Sequence, residues 1–394
     1  MMFKFLKLFK ILYKLKINLS DLPKSENLIL DSSTGIYYKK FFPKTTFILN
    51  TRYEELYFKI FILAFFKWLK SGGKTLNQIY ILNVIDEVNP KNIITFTDYN
   101  PFFLSIKKFF KEKKIILIQH HARSYNTLKT MLDNKKIYNL DKKFIIDTAL
   151  IWGKHYKKYY SQFLNTKFVV TGSFKNYIVE DKKIKENKKS VIYISQYRKN
   201  PAKDIYGRSV EEISNFRKKL LENLWLFCKD KKLKFKILSN YINDESEKQY
   251  FKTLLNQKKF GFIEKKHLFG SYESAQKYKY FFSESSSLGL ELYGIGKYIC
   301  SIRLPSFDKR LFLNDIDYKS FKEDYFSTKL QGTFWSYTPE KKEVYRVLNF
   351  IINSKKKEVL KSYKRYFDPY IKKKDNKSPK FYLNRLGVFS SLKL

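Results

Sequence analysis

Cysteine is nearly absent: Cys228 and Cys300 are the only two in 394 residues, they lie far apart, and neither stands in a metal-ligand pattern. That excludes a disulfide scaffold and a cysteine-based zinc site, and a reducing cytoplasm is the compartment that fits. Long apolar runs are missing too. The longest, Ile60 to Phe66, is bounded by Lys59 and Lys67 and falls far short of the roughly 20 residues a membrane-spanning helix needs. Met1 to Leu19 interleaves lysines with apolar residues and lacks an apolar centre and a small-residue cleavage site, so no secretory signal is expected. Acidic residues are scarce, 37 against 79 Lys and Arg, for a net charge of +42. The excess is spread from end to end and accompanies an abundance of Ile, Asn, Phe and Tyr, the mark of compositional drift. Without a localised patch interleaved with stacking aromatics, it does not point to nucleic acid.

Apolar residues make up 44% of the chain and aromatics 18%, ample surface to offset chain entropy, and the length favours two domains. Short β-rich runs alternate with amphipathic stretches, as when parallel strands are joined by helical crossovers. Strands are expected near Leu28–Leu30, Thr46–Leu49, Ile93–Phe96, Ile115–Gln119, Ala149–Trp152 and Phe168–Val170. The clearest helices of this half are Glu54–Lys70, stopped by Ser71-Gly72-Gly73, and Pro101–Lys111, opened by a proline.

A charged run at 177–189 reads as a linker between an N-terminal domain, 1–176, and a C-terminal domain, 190–337. The second half repeats the alternation, with strands near Val191–Ser195, Phe235–Leu238, Gly261–Ile263, Tyr280–Phe282 and Tyr298–Ile302, and helices at Val210–Lys229 and Leu288–Ile295. Residues 338–394 read as helical and basic, able to pack back across the first domain. At the other end, Lys4, Lys7, Lys10 and Lys14 share one helical face opposite Phe5, Leu8, Phe9, Leu12 and Leu15. Residues 1–19 are thus expected either to touch an anionic membrane at its inner face or to pack as an ordinary terminal helix.

The segment Ser283-Glu284-Ser285-Ser286-Ser287-Leu288-Gly289-Leu290-Glu291 reads as a hydroxyl-rich loop running from a strand into a short helix. Such a loop offers N–H groups, hydroxyls and a helix dipole to a diphosphate. Gly289 permits close approach of a ligand or facing backbone, and Glu291 can accept bonds from ribose hydroxyls. A serine-capped helix with an exposed glutamate is the plain alternative.

The Ser-Ser-Ser-Leu-Gly-x-Glu-x-x-x-x-Gly-Lys run resembles the donor-site segment of GT-B glycosyltransferases, particularly bacterial capsule and lipopolysaccharide biosynthesis proteins. Thr95 to Pro101, Ile118 to Arg123 and Val169 to Ser173 resemble the same group and keep its order. His120-His121 depart from it, standing where such proteins often carry Asn-Gly. The resemblance implies two Rossmann-like domains facing across a cleft, with the nucleotide sugar held by the second and a glycan or lipid-linked glycan acceptor by the first.

Within that frame Asp98, at a strand end, is a candidate base for the acceptor hydroxyl, or else a turn residue before Pro101. His120 and His121 are candidate bases or phosphate ligands, of which strand alternation would let only one enter a given pocket. Arg123 offers a planar fork to a carboxylate or phosphate. Gly172 and Ser173, at a tight turn into the interdomain region, are candidate donor-binding residues, or else only a turn. Ser195 is a candidate phosphate ligand, and Arg198, with Lys199 behind it, a candidate cation for the departing diphosphate. No metal or other cofactor is expected: His155 and His267 stand alone, and no Asp-x-Asp ends a strand in the donor region. Gly72-Gly73-Lys74-Thr75 lacks the first glycine of a phosphate loop, Trp68 taking its place. A teichoic-acid-type transferase of CDP-linked polyol phosphate and a non-enzymatic basic protein are the alternatives.

Overall fold

The computed structural model describes residues 16–50, 55–71, 74–123, 143–179, 184–199, 209–304 and 331–389, with the side chains of residues 32 and 33 left out. Most of the expected terminal helix, the Gly72-Gly73 turn and residues 180–183 lie outside the described residues.

In chain order the first half contains β1 (Lys16–Asn18), β2 (Asn27–Leu30), α1 (Ser32–Tyr38), β3 (Phe47–Leu49), β4 (Glu55–Tyr57), α2 (Phe58–Leu69) and α3 (Leu76–Val88). It continues with β5 (Asn92–Thr95), α4 (Pro101–Leu104), β6 (Lys114–Ile118), β7 (Phe144–Ile151), α5 (Lys154–Tyr160) and β8 (Leu164–Val170). Six strands form one parallel sheet in the order β3-β2-β5-β6-β7-β8. The near-continuous apolar sequences of β2, β5 and β6 follow from burial on both faces.

The second half contains β9 (Asn187–Ile194), α6 (Val210–Asp230), β10 (Lys234–Ile242), α7 (Glu245–Leu254), β11 (Gly261–Lys265), α8 (Gly270–Gln276), β12 (Tyr278–Phe282), α9 (Ser287–Gly294), β13 (Tyr298–Ile302), β14 (Gln331–Gly332) and β15 (Trp335–Ser336). Its sheet runs β11-β10-β9-β12-β13-β15-β14, parallel except for the β14 edge. Chain order reverses between β9 and β12, so the crevice beyond their carboxyl ends is where such a sheet takes ligands. Residues following β9 and β12 are Ser195 and the Ser283 loop.

The chain closes with α10 (Lys341–Asn353), α11 (Lys356–Tyr366) and α12 (Pro379–Arg385). Residues 369–374 bridge the halves: Lys372 N–H donates to the Trp152 carbonyl at 2.7 Å, His155 N–H to Pro369 at 2.8 Å, and Lys374 N–H to Gly294 at 2.8 Å. Farther on, Leu383 and Val388 join Ile29, Ile94 and Ile116 in a core on the first sheet. There Asn27 Nδ2 donates to the Val388 carbonyl at 2.8 Å.

Three local expectations are corrected. Lys16–Asn18 is a strand, because it pairs in parallel with Glu55–Tyr57, and that pairing also removes the first residues of the helix expected from Glu54. The helix from Pro101 stops at Leu104, where the Ser105 hydroxyl bonds back to the Phe102 carbonyl at 2.8 Å and a 3-10 turn follows. The charged run at 177–189 ends earlier than its composition implies, since β9 starts at Asn187.

Candidate functional site

On the second half, the Ser283 loop is built by its own hydrogen bonds. Ser283 Oγ accepts from Ser286 N–H at 3.2 Å, and Ser286 caps α9 by accepting from Leu288 N–H at 3.3 Å. Gly289 is dictated by this turn: a Cβ there would stand 2.9 Å from Ser283 Oγ. Ser285 Oγ donates to Gln196 Oε1 at 3.2 Å, and Ser287 Oγ accepts from Ala122 N–H of the first half at 3.2 Å. Glu284 is buried beneath the loop, where Arg217 grips it through Nε at 2.9 Å and Nη2 at 3.1 Å and Tyr193 donates to it.

Glu291 is only 1% exposed. Its carboxylate accepts from Ser173 Oγ at 2.7 Å and Tyr272 Oη at 2.8 Å, and Lys175 Nζ lies 3.8 Å away. Burial raises its pKa above the usual carboxylate range, while Lys175, Ser173 and Tyr272 pull it down. Lys175, equally enclosed, has its ammonium pKa lowered by burial against the restoring pull of Glu291.

On the first half, the segment after β6 is anchored by Gln119. Its Oε1 accepts from Trp152 N–H at 2.9 Å, its carbonyl from Trp152 Nε1 at 2.9 Å, and its Nε2 donates to the His121 carbonyl at 2.9 Å. Because the chain leaves the strand at Ile118, the alternation that would send two neighbouring side chains to opposite faces no longer applies. His120 and His121 therefore both face the cleft, ring centroids 3.9 Å apart. His120 Nδ1 bonds Tyr38 Oη at 3.0 Å. Desolvation, then Lys175, holds both imidazole pKa values well below the ordinary value, so both rings are neutral at pH 7.

Arg123 and Asp98 form a buried fork. Arg123 Nε donates to Asp98 Oδ2 at 2.8 Å, Nη2 donates to Oδ1, and Tyr160 Oη donates to Oδ2. Burial disfavours the guanidinium charge, but the Asp98 carboxylate outweighs it and raises the Arg123 pKa.

Between the halves lies a cleft of about 320 Å³. Among the residues expected from sequence, His120, His121, Ser195, Ser285, Ser286, Ser287 and Glu291 line it. Others stand elsewhere. Asp98 has both oxygens engaged in the fork. Gly172, at φ +77°, turns the chain where a Cβ would stand 2.6 Å from the Lys372 carbonyl oxygen, so it serves the bridging segment. Ser173 meets Glu291. Arg198 is exposed and is not among the lining residues, and Lys199 pairs with Asp244 at 3.0 Å. Ser195 reaches the wall, but its hydroxyl donates to the buried Glu247.

Several lining residues were missed: Tyr37 from α1, Lys175, Asn240, Lys265 and Tyr272. Lys175 stands two residues beyond the noted Ser173, and Lys265 ends β11 on the ligand side of the sheet. Neither lysine could be told apart from the chain's many others without the topology.

A family model described as an O-antigen biosynthesis protein matches residues 116–385, more than half of the chain. The chain belongs to that family. Among solved structures it is similar to UDP-GlcNAc 2-epimerase from Neisseria meningitidis bound to UDP-GlcNAc, at 12% identity and TM-score 0.51, covering 92% of this chain and 99% of that one. It is also similar to the Methanocaldococcus jannaschii UDP-GlcNAc 2-epimerase, at 11% identity and TM-score 0.51 over 91% and 90%. The wall teichoic acid polymerase TagF aligns at 12% identity and TM-score 0.52 over 93% and 90%. No curated protein matches. These likenesses show the fold: GT-B, two Rossmann-like halves facing across a cleft.

Proposed function

We propose that this O-antigen family member is a glycosyltransferase. It takes a sugar from a nucleotide-sugar donor, without a metal, and passes it to a glycan or lipid-linked glycan acceptor. The observation that carries this reading is the composition of the cleft: Lys175 and Lys265 face the Ser285–Ser287 hydroxyls and the N-terminal end of α9 across one cavity. Lys265, Lys175 with its partner Glu291, a helix dipole and three hydroxyls form an anion cradle suited to a diphosphate, and the lysines would neutralise it as it leaves.

In the reaction, the acceptor hydroxyl oxygen bonds to the anomeric carbon, the bond from that carbon to the diphosphate breaks, and the hydroxyl proton passes to a base. Asp98 is poorly placed for this because its oxygens are held by Arg123 and Tyr160. His121, neutral and facing the cleft, takes that role in our reading. Asp98 and Arg123 then act at a distance, fixing the segment that carries the histidines. Glu291 braces the donor side, with any contact to ribose added to its bonds with Ser173 and Tyr272.

The test is a panel of nucleotide sugars screened for thermal stabilisation, followed by product analysis by phosphorus NMR. The expected outcome is one stabilising donor, release of its nucleoside diphosphate, and no phosphorus on the acceptor. Phosphorus on the acceptor would replace this reading with polyol-phosphate transfer, and no stabilisation by any nucleotide would defeat both.

A further inference from the structure

Helix α2, Phe-Lys-Ile-Phe-Ile-Leu-Ala-Phe-Phe-Lys-Trp-Leu, is interrupted in its apolar character only by Lys59 and Lys67. A helix apolar on every side is normally enclosed on every side. This one buries only Ile60 and Ala64, on the side that packs against α3. At about 100° per residue, Phe58, Ile62, Phe66 and Leu69 fall on the opposite side. Phe66 is 58% and Leu69 62% exposed. The patch continues past the helix: β1 pairs with β4, which runs straight into Phe58, and this brings Ile17 and Leu19, 47% and 72% exposed, beside its start.

Exposed lysines stand beside the patch. Lys16, Lys59 and Lys70 are exposed beside it, while Lys67 lies on the packed side and donates to Asn83 of α3 at 2.7 Å. Of the nearby carboxylates, Asp21 pairs with Lys59 at 2.6 Å and Glu55 accepts from Asn18 at 3.2 Å.

We propose that α2 and the adjoining end of β1 form a docking surface for an anionic lipid bilayer. The helix would lie in the plane of the interface with Phe58, Phe66 and Leu69 among the acyl chains and the lysines at the headgroups. At 12 residues it is too short to span a bilayer and suits that orientation. A second copy is disfavoured as the occupant, because it would bring the same lysines and the same net charge of +42 against the patch. The first 15 residues carry Lys4, Lys7, Lys10 and Lys14 and no carboxylate, so their sequence adds to the attraction of an anionic surface. The inference does not rest on the donor assignment.

The experiment is co-sedimentation of the full chain with phosphatidylcholine vesicles, with and without phosphatidylglycerol, comparing wild type with a Phe66→Ser, Leu69→Ser double variant. Both positions are exposed, so the variant should keep the wild-type melting temperature. Wild type should bind the anionic vesicles at least tenfold better than the neutral ones, less so with added salt, and the double variant should lose at least tenfold. Wild type remaining in the supernatant with anionic vesicles, or a variant that binds as well as wild type, overturns the proposal. So does a wild-type dimer that the substitutions convert to a monomer in light scattering, since the patch would then be a contact between copies.

Discussion

Ser173 of the first half donates a hydrogen bond to Glu291 of the second at 2.7 Å, joining the two sheets behind the cleft. Glu291 also faces Lys175 at 3.8 Å and accepts from Tyr272. Glu291→Ala would leave a buried cation and two hydroxyls without their acceptor, and removing one partner of a buried pair costs about 3–5 kcal/mol. The expected result is a large loss of stability in urea denaturation together with weaker nucleotide binding. Glu291→Gln, which keeps an acceptor, should fall between the two. Wild-type stability in the alanine variant would show that the pair contributes little.

Asp98→Asn should likewise act through stability, because Arg123 would keep its buried charge and lose the carboxylate that balances it. A cost of about 3 kcal/mol is expected from denaturant midpoints. Tyr160→Phe, which removes one hydroxyl from the same fork, should cost about 1 kcal/mol. If Asp98→Asn melted like wild type but lost turnover alone, the carboxylate would have to be returned to the chemistry.

His120 is buried neutral, with its folded pKa below the unfolded one. The unfolded state therefore takes up the proton first as pH falls, so the stability tied to the neutral ring is complete above about 6.5 and is lost below it. The slope from one such group is up to about 1.4 kcal/mol per pH unit. Burial raises the Glu291 pKa and gives a dependence of opposite sign, in which stability falls as pH rises above the ordinary carboxylate value. The informative quantity is thus the difference between wild type and His120→Asn: melting temperatures from pH 7 to 5 should fall more steeply in wild type. Parallel curves would argue against the neutral buried ring.

Lys175→Met and His121→Ala should separate binding from chemistry. The first is expected to weaken nucleotide affinity by about tenfold or more, on the order of a charge-assisted hydrogen bond. The second should leave affinity within a few fold and lower turnover by about 10²–10⁴. Calorimetric titration and initial rates distinguish the two, and reversal of the pattern would exchange the roles assigned to the residues.

Gly172→Ala tests the bridging segment. The new methyl would be held in a left-handed conformation, which costs about 1–2 kcal/mol, and it would also press on the Lys372 carbonyl oxygen. Destabilisation above that range is expected, with nucleotide affinity at full folding unchanged. A selective loss of affinity would place Gly172 at the ligand after all.

Much of the fold was legible because strand and helix periods are local properties. Buried parallel strands such as Asn92–Thr95 and Lys114–Ile118 are apolar nearly throughout, and the helix expected over Val210–Lys229 forms as α6. Ser285, Ser286, Ser287 and Glu291, from the run that carried the resemblance, line the cleft. The lapses came where distant chain overrides local preference. Glu55–Tyr57 looked helical until Lys16–Asn18 paired with it, and His120 and His121 looked opposed until the chain left the strand before them.

By itself, then, the sequence determined the elements, the two alternating halves and the serine loop, since hydrogen-bonding pattern, apolar period and capping chemistry all act within a few residues. Only the tertiary structure decided which charges meet. Asp98 to Arg123, Glu291 to Ser173 and Lys175, and Gly172 to Lys372 are contacts across 25 to 200 residues of chain. They give partners to side chains that the sequence offered as candidate ligands and bring two unremarked lysines to the cleft wall, because burial and Coulomb attraction depend on distance in space and not on separation along the backbone.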